Sequence, residues 1–427
     1  MARYLHPRDE LLHAMERIYG YRMTTTSGGN LSIREDNGAV WITPARIDKG
    51  SLCRDDMVCV QPGGTVEGGR EPSSELPFHL EIYRRRPDLR GIVHAHPAAL
   101  VAFSLAHRVP DTRLFHQAWN VCGQPGFAPY RLPGSQDLGD SVAGVFEQGY
   151  NCVILENHGV VTAGDSFHHA FQRFETLEFT AKTIIKASLL GEVRYLNAEE
   201  LEQPRKRFSQ FESFTPMRVG SAEKELRRTL SAFIRRAYRQ RLFIGTQGSF
   251  SARLDGSAFL MTPYECDRAS LEGGELVLIS NGLAEGGKMP SRASRSHAAI
   301  YERHPGIGAV INAYPVNATA FSVTGAPLDT RTIPESYVVV REPARLPYGI
   351  HFQDREALAR GISPRRPAAI LQNDGVLVTG RTVLEAFDRL EVIESTAEAI
   401  IDCRAIGPMA PMSEGVIREL EAAFLGN

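Results

Sequence analysis

Ser27-Gly28-Gly29-Asn30-Leu31-Ser32-Ile33-Arg34 returns later in the chain as Thr246-Gln247-Gly248-Ser249-Phe250-Ser251-Ala252-Arg253. Working outward, Ile42-Thr43-Pro44 returns as Met261-Thr262-Pro263, and Pro72-Ser73-Ser74-Glu75 as Pro290-Ser291-Arg292-Ala293. His79, Tyr83 and Pro87 keep counterparts in His297, Tyr301 and Pro305. The offset stays between 216 and 219 residues, the length of a domain rather than of a solenoid unit, so the chain is a tandem duplication. At 427 residues it exceeds the usual size of one domain, and two domains of about 200 residues fit both observations. The expected division is 1–195 for the first copy, 196–221 for a charged, proline-interrupted linker and 222–427 for the second copy.

Short Val/Ile-rich runs (Gly91–His94, Cys152–Leu155, Val310–Ile311, Ala369–Leu371) read as buried strands. Longer amphipathic runs alternate with them. The clearest opens after Asp165 with Ser166 as N-cap, places Phe167, Ala170, Phe171, Phe174, Leu177, Ala181 and Ile184 on one face, and closes at Gly191. Val383 to Ile401 repeats this periodicity. Each copy is therefore expected to be an α/β or α+β layer, a sheet covered by helices.

Within that frame, His94 and His96 stand at i and i+2, so a strand would present both imidazoles on one face. Pro97 ends the segment and suits a following helix, which puts the pair at a strand end. His158 follows the apolar run 152–155 and precedes Gly159, another strand-to-loop junction. Three imidazoles with a displaceable carboxylate, for which Glu75 is the candidate, form a sound Zn²⁺ site. A lone His-x-His is more often a surface or core feature. The second copy changes the weighing: it has Ala293, Asn312, Tyr314 and Asp374 at the four positions while the flanking apolar, glycine and proline residues remain. Residues lost together point to residues that worked together, and the second site is expected to be metal-free.

With 48 basic and 50 acidic residues and a net charge of −2, the chain offers no single-sign field to recruit nucleic acid or an anionic membrane, so neither is expected as a partner. Six cysteines without CxxC spacing suggest reduced, mostly buried thiols. The first ten residues lack an apolar signal region and no run of 18 apolar residues occurs, so a cytoplasmic protein is expected.

Taken together, Ser27–Ser32, Ile42–Pro44, Pro72–Glu75, His94-Ala95-His96 and Asn157-His158-Gly159 resemble the class II aldolase/adducin family, well over residues 8–195 and in weakened form over 222–403. The resemblance implies a three-layer αβα domain around a mostly antiparallel sheet, present twice. It implies that His94, His96 and His158 bind Zn²⁺ or another divalent ion such as Mn, Co or Fe, with Glu75 as a ligand that becomes the acid/base when substrate arrives. It places the substrate's phosphate among Gly29, Asn30, Ser73 and Ser74. The activity implied is that of a metal-dependent aldolase, a carbon–carbon lyase cleaving a small ketose 1-phosphate or related sugar through an enediolate. A sugar-phosphate 4-epimerase, dehydratase or decarboxylase, or a non-catalytic adducin-like binding protein, are the alternatives.

Two departures stand out. Family aldolases commonly follow Thr-Pro with Ser/Thr-Gly, whereas this chain has Ala45-Arg46, with Lys49 close behind; Arg46 is a candidate bidentate partner for phosphate or carboxylate, or else a solvated loop arginine. Where some relatives carry a tyrosine that protonates the leaving aldehyde, Leu114 or Phe115 falls, and His116 is the substitute acid or a packing residue. Family members resemble C4 tetramers with sites at subunit junctions. Two fused chains would rebuild such a ring as a homodimer, the second copy lending wall residues such as Arg331, Glu335 or Tyr337, unless a higher homo-oligomer forms.

Overall fold

The strand Gly91–Ala95 (β5) shows how sequence becomes layer: Ile92 points into one hydrophobic cluster and Val93 into another, so both faces of the sheet are covered. A computed structural model describes residues 5–204, 211–216 and 218–426. Residues 205–210 and 217 of the expected linker, and 1–4 of the expected first domain, lie outside the described residues. The chain divides into two compact units, one of Met1–Arg113 with Gln117–Lys182, the other of Leu114–His116 with Thr183–Asn427.

In the first unit the other strands are β1 (Asn30–Arg34), β2 (Val40–Ile42), β3 (Val58–Val60), β4 (Val66–Glu67), β6 (Gly126–Ala128), β7 (Cys152–Leu155) and β8 (Gly159–Gly164). Their order is β4-β3-β2-β1-β5-β8-β7-β6, antiparallel throughout except for the β6–β7 edge pair. Helix α1 (Pro7–Gly20) lays Leu11, Met15 and Ile18 on one face, joined by Phe167, Phe171, Phe174 and Leu177. Helix α2 (Leu76–Arg85) lays Phe78, Ile82 and Tyr83 on the other, with Leu138, Val142 and Phe146 of the helix Gln136–Glu147. The result is three layers, helix, sheet and helix. The long helix Phe167–Ser188 begins where expected: the Ser166 hydroxyl accepts from the His169 N–H at 3.2 Å.

The second unit repeats the plan on a nine-stranded sheet in which Ala309–Ala313 lies between Ser249–Asp255 and Val376–Gly380. Helices Ser294–Arg303 and Arg355–Gly361 pack one face through Ile300, Tyr301, Leu358 and Ala359. Val383–Cys403 buries Phe387, Leu390 and Ile393. Within the expected linker, Ala198–Glu202 is a helix capped by Asn197 and Glu200, and Ser213–Phe214 pairs in parallel with residues 284–285. Among the described residues no helix is long and apolar enough to cross a membrane.

Candidate active site

Strand pairing assembles the site. Antiparallel register sets Asn30 of β1 directly opposite His94 of β5, and His94 opposite Val161 of β8. His96 lies one residue past the end of β5, before Pro97, which caps the helix Ala98–Leu105. Asn157 adopts a left-handed conformation (φ 51°), tolerable for asparagine, and so turns the chain from β7 into β8 with His158 at the bend. The three imidazoles converge, with ring centroids 4.8, 4.9 and 5.0 Å apart.

Their ligand atoms lie within 4.8 Å of one another, and His94 Nε2 is 3.0 Å from His96 Nε2. Tetrahedral nitrogen donors about 2.0–2.1 Å from Zn²⁺ stand roughly 3.3 Å apart, a spacing within the limit that these atoms keep, so the donor set suits a divalent ion. Hydrogen bonding orients His94: its Nδ1 donates to the Val160 carbonyl at 2.9 Å, which turns Nε2 toward the cluster. Burial, then the neighbouring His94, lowers His96 to about 3 and His158 to about 4. Both rings are therefore neutral donors at physiological pH.

Glu75 caps α2 and reaches this cluster, with Oε2 3.2 Å from His94 Nε2 and Oε1 3.5 Å from His158 Nε2. Oε1 is buried and has no hydrogen-bond partner, as expected of an oxygen kept for an ion or a substrate proton. Burial alone would raise this carboxyl, but the imidazoles of His94 and then His158, with the Asn30 amide, outweigh it and hold the group well below the usual carboxylate range. Glu75 is ionised and acts as an acceptor.

A polar chain runs beneath it. Asn30 Nδ2 donates to Glu75 Oε2 at 2.7 Å; His79 Nε2 donates to Asn30 Oδ1 at 2.5 Å; and the Ser32 hydroxyl, also 2.8 Å from Tyr83 OH, donates to His79 Nδ1 at 2.7 Å. Burial lowers His79 to about 3, so it is the neutral tautomer this chain requires. Expected only among the phosphate residues, Asn30 is thus engaged in orienting Glu75, with one amide hydrogen left over.

The second unit retains the lower half of this chain. Ser251 Oγ meets His297 Nδ1 at 2.6 Å and Tyr301 OH at 2.7 Å. The amide has changed strands: Ser249 replaces Asn30, and Asn312, at the position of His94, meets His297 Nε2 at 2.9 Å. Tyr314 donates to Asp374 at 2.7 Å where the first unit has His96 and His158. Among the described residues, the three histidines of the first unit form the one cluster with metal-ligand geometry.

A family model for the class II aldolase and adducin N-terminal domain matches residues 9–185 and, again, residues 228–401. The chain belongs to this family. A 5-deoxy-D-ribulose 1-phosphate aldolase from Bacillus thuringiensis is 31% identical over 208 residues, 47% of this chain and 94% of that protein. A 3-oxo-tetronate 4-phosphate decarboxylase from Pectobacterium atrosepticum is 34% identical over 46% of this chain and 91% of its own length. An L-fuculose phosphate aldolase from Methanococcus vannielii is 32% identical over 40% of this chain and 92% of its own length.

Within the first class II aldolase domain the remaining expected residues fall as follows. Gly29 is buried at φ 72°, and a Cβ there would stand 2.7 Å from the His94 carbonyl. At Gly28 a Cβ would lie 2.9 Å from His96 Nδ1, so the glycine loop closes directly on a candidate ligand. Ser73 is buried and its hydroxyl accepts from the Glu75 N–H at 3.3 Å; Ser74 and Arg46 are exposed. Leu114, Phe115 and His116 are buried in the second unit, where the His116 ring lies 5.8 Å from Phe352 and 6.4 Å from Tyr348. Arg331 and Tyr337 are tied to Glu414 and Glu421 of their own unit.

Proposed function

We propose that the first family domain, residues 1–195, is a divalent-metal lyase that cleaves a small ketose 1-phosphate, or a deoxy or acid relative, by retro-aldol chemistry, while residues 222–427 form a degenerate, metal-free domain. The observation that carries this reading is the convergence of His94, His96 and His158 beside Glu75, whose free oxygen lies 3.5 Å from His158 Nε2 while its other oxygen is held by Asn30.

His94, His96 and His158 would hold the ion, Zn²⁺ by donor type, which supplies a Lewis acid for the substrate's carbonyl oxygen. Glu75, kept ionised, takes the proton from the carbon next to that carbonyl in the synthetic direction and returns it to the same carbon after cleavage. Asn30 and His79 keep the carboxylate aimed during this exchange. Gly28 and Gly29 let backbone approach the substrate where a side chain would collide with His96 or the β5 backbone.

Similarity to a decarboxylase at 34% identity supports a second reading, loss of CO₂ from a 3-oxo acid phosphate through the same charge-stabilising site. Incubating the metal-loaded protein with phosphorylated ketoses and 3-oxo acids separates them: dihydroxyacetone phosphate marks the aldolase and CO₂ the decarboxylase. Turnover of neither, in a protein with stoichiometric metal, refutes both. The repeat further suggests a homodimer that rebuilds a four-domain ring with two metals; one metal per domain would overturn that arrangement.

A further inference from the structure

His158 differs from its neighbours in how its ring is aimed. The His94 ring is anchored by the Val160 carbonyl, whereas among the described residues no hydrogen bond holds Nδ1 of His158. A ligating imidazole commonly gives its second nitrogen to a neighbouring acceptor, which fixes the ring. Without one, the direction of His158 depends on the backbone that carries it.

That backbone is gripped from outside the β7–β8 turn. Ser104, fully buried near the end of the helix Ala98–Leu105, donates its hydroxyl proton to the Leu155 carbonyl at 2.6 Å and accepts from the His158 N–H at 3.0 Å. One hydroxyl can do both, having one hydrogen and two lone pairs. The His158 N–H also reaches the Leu155 carbonyl at 3.2 Å, the turn's own closing bond. Ser104 therefore ties the start of the turn and the N–H of His158 to a helix capped by Pro97, the residue after His96. One helix thus runs from one candidate ligand to the backbone of another.

The second copy separates this clamp from ordinary turn formation. Ser322 is the counterpart of Ser104, seven residues after Pro315 as Ser104 is after Pro97, and it is equally buried. Its hydroxyl turns back to the Thr319 carbonyl of its own helix at 2.7 Å. The equivalent turn closes without that hydroxyl: the Asp374 N–H bonds to the Leu371 carbonyl at 2.9 Å, and Asn373 keeps the left-handed conformation of Asn157, φ 50° against 51°. Helix and turn meet there through backbone, the Ser322 carbonyl accepting from the Asn373 N–H at 3.1 Å. The turn forms with or without the serine hydroxyl, and the hydroxyl engages it in the copy with three histidines.

We propose that Ser104 is a positioning residue for His158, holding the third imidazole at the spacing a divalent ion requires. This rests on the reading of His94, His96 and His158 as metal ligands. Zn²⁺ affinity of the full chain, measured by competition with a chromophoric chelator, tests it. Ser104→Ala should bind Zn²⁺ about 10- to 100-fold more weakly than wild type, the usual effect of removing a group that orients a metal ligand. Ser322→Ala, which removes an equally buried hydroxyl from the other copy, should keep wild-type affinity. In the Co²⁺-loaded protein the visible absorption should change in Ser104→Ala and stay unchanged in Ser322→Ala. The turn keeps its own closing bond in Ser104→Ala, so the variant should fold, as tryptophan fluorescence will show; Ser104→Cys, of similar size but a weak donor, should lose less affinity and serves as the second variant. Wild-type affinity and spectrum in folded Ser104→Ala, or an equal loss in Ser322→Ala, overturns the proposal alone. A wild type that takes up no Zn²⁺ overturns it together with the metal reading. Ser104-dependent affinity in a protein that turns over no sugar phosphate would sink the lyase reading and leave this one standing.

Discussion

Replacing Lys49 by methionine should stabilise the first unit, and the size of the effect follows from the lysine's surroundings. Burial takes its ammonium from 10.5 down to about 8. At about 1.4 kcal/mol per pH unit, keeping it charged at pH 7 costs the folded state about 3 kcal/mol. Methionine fills much of the same space but abandons the Pro44 carbonyl, a loss of ~1 kcal/mol. The net gain is about 2 kcal/mol. The sign has a pH signature. Between about 8 and 10.5 the unfolded chain binds more protons than the folded one, so wild-type stability rises with pH there while that of Lys49→Met does not. The advantage should be full at neutral pH and nearly gone by about pH 9.5. Both tryptophans, Trp41 and Trp119, lie in the first unit, so urea unfolding of metal-free protein followed by tryptophan fluorescence reports on that unit. A variant no more stable than wild type at pH 7, or a difference that does not change with pH, would refute the reasoning.

Three further outcomes are expected. Glu75→Gln should keep its metal, by elemental analysis, and lose about 10²–10⁴ in turnover, because the amide cannot accept the substrate proton. His158→Ala should abolish metal binding while Asp374→Ala leaves the stoichiometry of the purified protein unchanged; equal losses in both would contradict the asymmetry between the copies. Gly28→Ala places a methyl 2.9 Å from His96 Nδ1, and competition with a chromophoric chelator should show metal affinity reduced by about 10–100-fold.

Much of the fold was legible because it is local. The strands at 91–95 and 152–155 and the helices at 167–188 and 383–403 follow from β-branched runs and helical spacing that need no partner to be seen. The convergence of His94, His96 and His158 was readable for a different reason: the second copy lost all three while keeping their neighbours. The chain Ser32–His79–Asn30–Glu75 was not readable, since it depends on β1 pairing with β5 and on α2 crossing above them. His79 recurs in the second copy as His297, and the hydrogen bonds show what the ring does in the first: through Asn30 it supports the carboxylate. Burial of Lys49 was equally invisible, because a lysine in a loop after Thr-Pro reads as solvated until Thr26 and Pro44 enclose it. His116, which spacing offered as an acid or a packing residue, is buried and grouped with the second unit.

The Ser–His–Tyr group beneath each sheet end survives in both copies although the residues above it have diverged completely. Folding and chemistry therefore draw on different layers of the same scaffold. The lower layer satisfies buried polar groups and is kept in both copies, whereas the upper one rests on strand ends and turns whose side chains differ between them. Such a division lets the site residues of a duplicated domain change while it remains a sound building block, and it offers protein engineers a foundation on which a second, different centre could be installed.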